Sequence, residues 1–184
     1  PFVNQIDLKS KKTSTLYRSS YTDKVEDIQY AININKGEIL VRLEAKDEYP
    51  NYYIRNIKKK NNLEAITQFE NPFKSIQNVH KEVIKYKRDD GLALSGTLYL
   101  PTNYEKGKKY PMILWAYPRE YKDKKSAGQV TSNSNEFTYP WYGSPIYWVT
   151  RGYVVLDDAA FPIIGEGKDE PNDTFIKQLV GNAK

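Results

Sequence analysis

Tyr110-Pro-Met-Ile-Leu-Trp-Ala-Tyr-Pro-Arg-Glu120 is the stretch whose reading decides the fold. Met112 to Ala116 form an apolar run, preceded by Pro111 and followed one residue on by Pro118, too short for a helix of its own. A run apolar on both faces reads as a central strand of a parallel sheet, closed here by Pro118. In open α/β sheets the working residues stand just beyond the carboxyl ends of such strands. Tyr117 takes that place, with a phenol able to donate one hydrogen bond.

Downstream, residues 118–143 are polar and aromatic with no clear period, and a loop of that length in a compact domain is usually functional or packed against something. Ser144-Pro145 then predicts a short helix with serine as N-cap and proline at the first helical position, stopped by Gly152 just after Arg151. Tyr153-Val-Val-Leu156 follows as a second buried strand. Strand, helix, strand is a βαβ unit, so the two strands are expected to run parallel with a right-handed crossover. The chain closes with Pro162-Ile-Ile-Gly-Glu-Gly167, an acidic segment, and a helix. Its expected apolar stripe is Phe175, Ile176, Leu179 and Val180, with Asn172 or Asp173 as the cap.

Upstream, Val83 to Lys87 and Leu92 to Leu100 read as strands joined by Asp89-Asp-Gly91, whose Asp-Gly step favours a tight hairpin. Leu92, Leu94, Leu98 and Leu100 share one face. Residues 71–78 read as a connector. Before it, residues 1–79 read as antiparallel β. Ile28, Tyr30, Ile32 and Ile34 alternate with polar partners, Asn35-Lys-Gly37 turns, and Ile39, Val41, Leu43 and Ala45 alternate again, a hairpin with one buried face. Tyr52 to Ile57 and Leu63 to Phe69 are further strands about the turn 58–62. Val3 to Leu8, a basic turn and Thr13 to Tyr17 repeat that plan at a period of about fifty residues, which fits β-propeller blades or a plain β-meander.

The 184 residues can bury a core, with 39% hydrophobic and 28% charged residues and no apolar run of membrane-spanning length. A net charge of +5 is spread over lysine-bearing turns at 9–12, 58–60, 106–109 and 122–125, which reads as solvated surface rather than a nucleic-acid interface. The absence of cysteine excludes disulfides and thiolate zinc sites. An opening on Pro1 and a stop at Lys184 inside a helical pattern read as cut ends, and no compartment or oligomeric state is assigned.

The chemistry can be searched by type. There is no Gly-x-Ser-x-Gly nucleophile elbow. His80 is the single histidine, which excludes His-His metal pairs and leaves a poor base at a linker. Gly165-Glu-Gly167 has Glu170 where a dinucleotide loop needs glycine. Asp157 and Asp158, read as the end of a strand, could join Glu166, Asp169 and Asp173 around a divalent cation, or serve as solvated and capping carboxylates. Tyr117, one of sixteen tyrosines, either packs or helps stabilise a developing oxyanion.

Asp89-Asp-Gly-Leu-Ala-Leu-Ser-Gly-Thr-Leu-Tyr-Leu-Pro101, Lys109 to Lys122, Ala127-Gly-Gln-Val130, Ser144-Pro145, Arg151-Gly152, Pro162 to Gly167, Pro171-Asn-Asp173 and Gln178-Leu-Val180 together resemble the prolyl oligopeptidase family of serine peptidases. The likeness is nearest to its glutamyl-endopeptidase-like branch. The resemblance implies a mixed fold: the last antiparallel β-propeller blade or blades over 1–79, followed by the N-terminal part of an α/β-hydrolase (peptidase) domain over 80–184. It implies that Tyr117 supplies an oxyanion-hole hydroxyl, and that the nucleophilic serine, aspartate and histidine come later in the family's chain order. Ser95, Ser126 and Ser144 sit in the wrong contexts to be the nucleophile. It implies a peptide substrate, cleavage after glutamate, no cofactor and no metal, with Arg119 and Arg151 as candidate partners for an acidic side chain. The rival reading is a non-catalytic β-rich binding module that presents the aromatic loop 118–142.

Overall fold

The structure, a computed structural model, describes residues 1–59, 62–125, 127 and 132–184. The chain divides into two compact units, Pro1–Pro72 with Asn135–Tyr139 and Phe73–Ser134 with Pro140–Lys184.

In the first unit β1 (Phe2–Ile6) and β2 (Thr13–Arg18) pair as an antiparallel hairpin, and β3 (Val25–Asn33), β4 (Glu38–Glu44), β5 (Asn51–Asn56) and β6 (Asn62–Ala65) form a four-stranded antiparallel meander. The alternating Ile39, Val41, Leu43 and Ala45 are buried, as their spacing predicts. The matching face of β3 is not: Tyr30 and Ile32 are exposed, as is Ile34 just past the strand. Register breaks between Ile28 and Tyr30 and between Ala31 and Asn33 interrupt the pleat there, and such irregularities re-aim side chains. β6 stops short of Phe69 because the Asn51 side chain takes over its hydrogen bonds. The Phe69 N–H and the Thr67 hydroxyl donate to Asn51 Oδ1 at 2.6 and 2.8 Å. Of the turn between β5 and β6, Lys60 and Asn61 lie outside the described residues.

One buried ion pair ties the hairpin to the meander. Arg55 Nε donates to Glu26 Oε1 at 2.5 Å, and the Tyr17 hydroxyl donates to the other Glu26 oxygen. The guanidinium lies 5.2 Å from the Tyr17 ring centroid and 5.8 Å from that of Tyr21. A buried charge pair is tolerated when its remaining polar atoms find partners, and Tyr17 and Tyr21 supply them.

In the second unit β7 (Lys81–Lys87), β8 (Ala93–Tyr99), β9 (Met112–Tyr121) and β10 (Val154–Ile164) form one sheet in the order β7-β8-β10-β9. The β7–β8 hairpin turns at Gly91 with φ +85°, a conformation glycine adopts without strain. Arg88 grips Asp90 at 2.7 Å and holds that carboxyl down to about 2. β9 and β10 run parallel, as the βαβ reading predicts. The crossover is a 3-10 helix, Pro145–Arg151, which begins at its proline and ends at Gly152 in the left-handed conformation. Ser144 precedes it without making a side-chain cap bond.

Two expectations about the deciding stretch are corrected. β9 is not a central strand, for β10 lies between it and β8, and no described strand covers its other side. Met112, Leu114 and Trp115 are therefore exposed, while Val155 and Ile163 of β10 are fully buried. An apolar run reports what its strand can bury against, and cannot say which neighbour is present. Nor does Pro118 close the strand, which continues to Tyr121 opposite Ile164. An edge strand accepts a proline wherever the missing N–H faces away from the ladder. The second strand likewise runs past Asp157 and Asp158 rather than ending at them.

The C-terminal α1 (Phe175–Ala183) packs on β10 through a face that its apolar stripe does not predict. Leu179 joins the cluster of Leu156, Ala159 and Phe161, but Ile176 and Val180 are exposed. Two amides do the holding. Gln178 accepts from the Ile164 N–H at 2.9 Å and donates to the Ile164 carbonyl at 2.8 Å. One turn on, Asn182 donates to the Pro162 carbonyl at 3.0 Å and accepts from Arg88 Nη1 at 2.8 Å. A 3-10 turn, Pro171–Thr174, leads into α1, and its capping box pairs Asp173 with the Glu170 N–H at 3.1 Å. Asp173 thus caps this turn, and Thr174 occupies the cap position of α1 itself.

Gly165 joins β10 to this segment in a space that admits no side chain: a Cβ there would lie 2.4 Å from the Asp169 carbonyl oxygen and 2.5 Å from Pro171 N. Gly165→Ala is expected to cost about 1–3 kcal/mol through overpacking against backbone. Gly181→Ala, where the added carbon meets only the Arg88 side chain at 3.4 Å, should be neutral or gain up to about 1 kcal/mol of helix propensity. Denaturant unfolding of the two variants checks the contrast.

Candidate active site

The parallel pair β9–β10 is in register from Val154 opposite Met112 to Leu156 opposite Leu114, and again from Ala159 opposite Ala116 to Ile164 opposite Tyr121. Between these runs β10 carries one extra residue, a β-bulge at Asp157–Asp158. Asp158 has φ +47°, a left-handed conformation that aspartate tolerates better than most residues. The Asp158 N–H donates to Asp157 Oδ1 at 2.9 Å. Burial raises the half-buried Asp157 carboxyl above its ordinary 3.8. The hydrogen bond from Asp158 opposes the rise, the Asp158 charge adds to it, and Lys81 moderates it.

Tyr117 lies beside this bulge, opposite Ala160. The residue is 77% exposed, and its hydroxyl makes no hydrogen bond with the described residues. It stands within the strand rather than beyond its end, because β9 runs four residues further than Pro118 suggests. Strand alternation puts Trp115 and Arg119 on the Tyr117 face. Trp115 meets Trp141 edge-on at 6.5 Å between ring centroids, and Trp141 meets Tyr142 at 5.3 Å. Arg119 Nη2 lies 3.9 Å from Asp158 Oδ1. The arrangement combines an exposed phenolic donor, a cation and an aromatic shelf on one edge strand.

The other candidates lie elsewhere. β7, antiparallel to β8, points the same way as β9 and β10, so His80 stands at the start of the parallel pair, level with Met112. Tyr117 is about 16 Å further along the strands, and β7 and β9 are about 14 Å apart across the sheet. His80 Nε2 lies 3.6 Å from Glu82 at the surface. Arg151, three residues before Val154, belongs to the same far end. Of the acids weighed as metal ligands, Glu166 pairs with Lys124 at 2.9 Å and Asp173 caps the 3-10 turn. Among the described residues no cluster of three metal-ligating side chains forms. Gly165-Glu-Gly167 is a turn, with Gly167 at φ +65°. Ser95 and Ser144 are buried, whereas Ser126 and residues 128–130 lie outside the described residues. In the aromatic loop, Phe137 and Tyr139 pack in the first unit, on the Tyr49 ring at 5.2 and 5.6 Å.

The bulge escaped sequence reasoning. Its one sequence signal is a pair of aspartates inside an otherwise apolar run, a combination that suits a left-handed residue as well as a strand end.

No family model matches the chain. A protein of Oryza sativa subsp. japonica named "Probable glutamyl endopeptidase, chloroplastic" is 34% identical across 100% of this chain, which spans 21% of the relative's length. Among solved structures, Porphyromonas gingivalis dipeptidyl peptidase 4 superposes with a TM-score of 0.55 at 16% identity, over 86% of this chain and 21% of that one. A post-proline cleaving enzyme from Rickettsia typhi superposes with a TM-score of 0.50 at 17% identity, over 99% and 25% of the two chains.

Asp157→Asn tests the bulge. An acid whose folded pKa exceeds its unfolded value stabilises the fold only while protonated, so its contribution falls as pH rises from 3.8 through the raised value. Wild-type stability is expected to decline over that window, and the variant to lose this decline and match or exceed wild type at neutral pH, measured by urea unfolding across a pH series.

Proposed function

We propose, from a likeness over the whole chain to part of a protein named as a probable glutamyl endopeptidase, that the chain is a segment of a prolyl-oligopeptidase-family peptidase that joins the end of a β-propeller to the start of an α/β-hydrolase domain and brings one oxyanion donor to a serine peptidase. The propeller part is 1–79 and the hydrolase part 80–184. The four-stranded meander β3–β6 supports the first assignment, being the size and pairing of one blade. The sheet order β7-β8-β10-β9, with its antiparallel entry and parallel crossover, supports the second.

The observation that carries the reading is the Tyr117 hydroxyl, exposed on a parallel strand and unengaged by the described residues. In acyl transfer a serine hydroxyl adds to the peptide carbonyl, its proton passes to a base, and the carbonyl oxygen becomes an oxyanion. A phenolic O–H held where that charge develops stabilises the transition state more than the substrate. Tyr117 would donate that hydrogen bond, and a backbone N–H beside the nucleophile would donate the second. The nucleophile, the base and its aspartate partner are assigned to no residue of this chain. The glutamate preference in the relative's name enters the proposal as the substrate class: peptides with glutamate on the acyl side of the cut.

Tyr117→Phe in the full-length protein is expected to lower kcat by about 10²–10³-fold, the loss typical of one oxyanion donor, with unchanged circular dichroism. An unchanged rate makes Tyr117 a packing residue. Pro1–Lys184 expressed alone is expected to hydrolyse peptides no faster than buffer, since one donor without a nucleophile and base forms no acyl-enzyme. Turnover by that fragment, removed by Tyr117→Phe, would refute the division of labour.

A further inference from the structure

We propose that Arg119 is the residue that selects an acidic side chain on the acyl side of the scissile bond, with Asp158 as the counterion that holds it when no substrate is bound. The inference rests on the acyl-transfer reading of Tyr117 and goes further by naming the specificity element of that site.

Position comes first. Arg119 is two residues beyond Tyr117 on the same face of β9, which separates their Cα atoms by about 6.6 Å. A substrate carbonyl oxygen at the Tyr117 hydroxyl puts the neighbouring residue's side chain over that face. A glutamate carboxylate lies four bonds, about 5 Å, from its own carbonyl carbon, and the long arginine side chain spans the rest. Arg151, the other candidate, stands at the opposite end of the parallel pair and cannot reach the same carbonyl.

Availability comes second. Three neighbouring cations are tightly engaged: Lys122 meets Glu170 at 2.6 Å, Lys124 meets Glu166 at 2.9 Å, and Arg88 is shared between Asp90 and Asn182. Arg119 is not. Its side chain is 66% exposed, and its nearest carboxylate oxygen, on an Asp158 side chain that is itself 63% exposed, is 3.9 Å away, too far for a hydrogen bond. The left-handed backbone of Asp158 at the bulge fixes where that carboxylate projects, so the guanidinium is kept over the Tyr117 face without being consumed. A loose exposed pair of this kind is readily exchanged for an incoming carboxylate.

Chemistry comes third. A guanidinium presents a planar fork that takes a carboxylate through two parallel hydrogen bonds, a geometry that glutamine cannot match and lysine matches only as a point charge. On that face Trp115 is apolar and Tyr117 is a neutral phenol, so Arg119 is the feature there that distinguishes an acid from its amide.

The test uses the full-length protein and two peptides that differ only in glutamate or glutamine on the acyl side of the cut. For wild type kcat/KM is expected to favour glutamate, and Arg119→Gln should shrink the glutamate-to-glutamine ratio by about tenfold or more, chiefly through KM for the glutamyl peptide. Arg119→Lys should restore part of the ratio. A fall in both peptides by one common factor, or a ratio that survives Arg119→Gln, overturns the inference while leaving the tyrosine reading intact. Turnover of both peptides that is indifferent to Tyr117→Phe, or no turnover at all by the wild type, overturns the two together.

Discussion

The parallel pairing of β9 with β10, broken once by an extra residue at Asp157–Asp158, is the constraint on which the second unit depends. Side chains on a regular strand change face at every residue, so Leu156 and Ala159, three apart, would point to opposite sides. The bulge turns the second half of the strand, and both reach one cluster with Phe161, Leu98 and Leu179. Val155 points the other way, into Ile76, Tyr99, Ile146 and Val149 beside the 3-10 helix. One inserted residue thus lets a single strand serve both layers. It also requires Gly96 on β8, where a Cβ would come within 2.8 Å of Leu156 Cδ1 and 3.3 Å of the Ala159 Cα. The distortion that makes room in the core is the one that brings Asp158 towards Arg119.

Much of this was legible in the residues. The Asp-Gly hairpin, the helical turn between Ser144 and Gly152, the parallel relation of the two strands and the buried face of β4 all follow from local rules, and all appear. The misreadings share a cause, which is that each depended on a neighbour. Whether Met112 to Ala116 is central or marginal depends on which strand adds beside it. Whether Pro118 ends a strand depends on which side its missing N–H faces. The stripe of α1 was read from apolar residues, yet Gln178 and Asn182 face inward, because the end of β10 offers backbone groups that need partners more than it offers apolar surface. At the site, the apolar run points to Tyr117 but puts it beyond the strand's end instead of within it, and neither its exposure nor the bulge at the aspartate pair is visible without the neighbouring strands.

Charge is distributed with the same economy in both units. Several lysines are matched by acids: Lys24 with Glu48 in the first unit, and Lys108 with Glu105, Lys122 with Glu170 and Lys124 with Glu166 in the second. Most of these pairs are solvent-exposed and add little stability individually. The buried Glu26–Arg55 pair differs in kind, since removing either partner would strand a charge among Tyr17 and Tyr21.

The open side of β9 has a bearing on how the polypeptide behaves in concentrated solution. A strand border with no described strand on it, flanked by Met112, Leu114 and Trp115, is a template that a second copy can extend, and natural sheets usually blunt such borders with charge or cover them. Here the blunting begins only at Pro118, Arg119 and Glu120, leaving the first half of the strand adhesive. Left uncovered, that half invites edge-to-edge clumping that grows with concentration, and a covering there would act as a solubility guard.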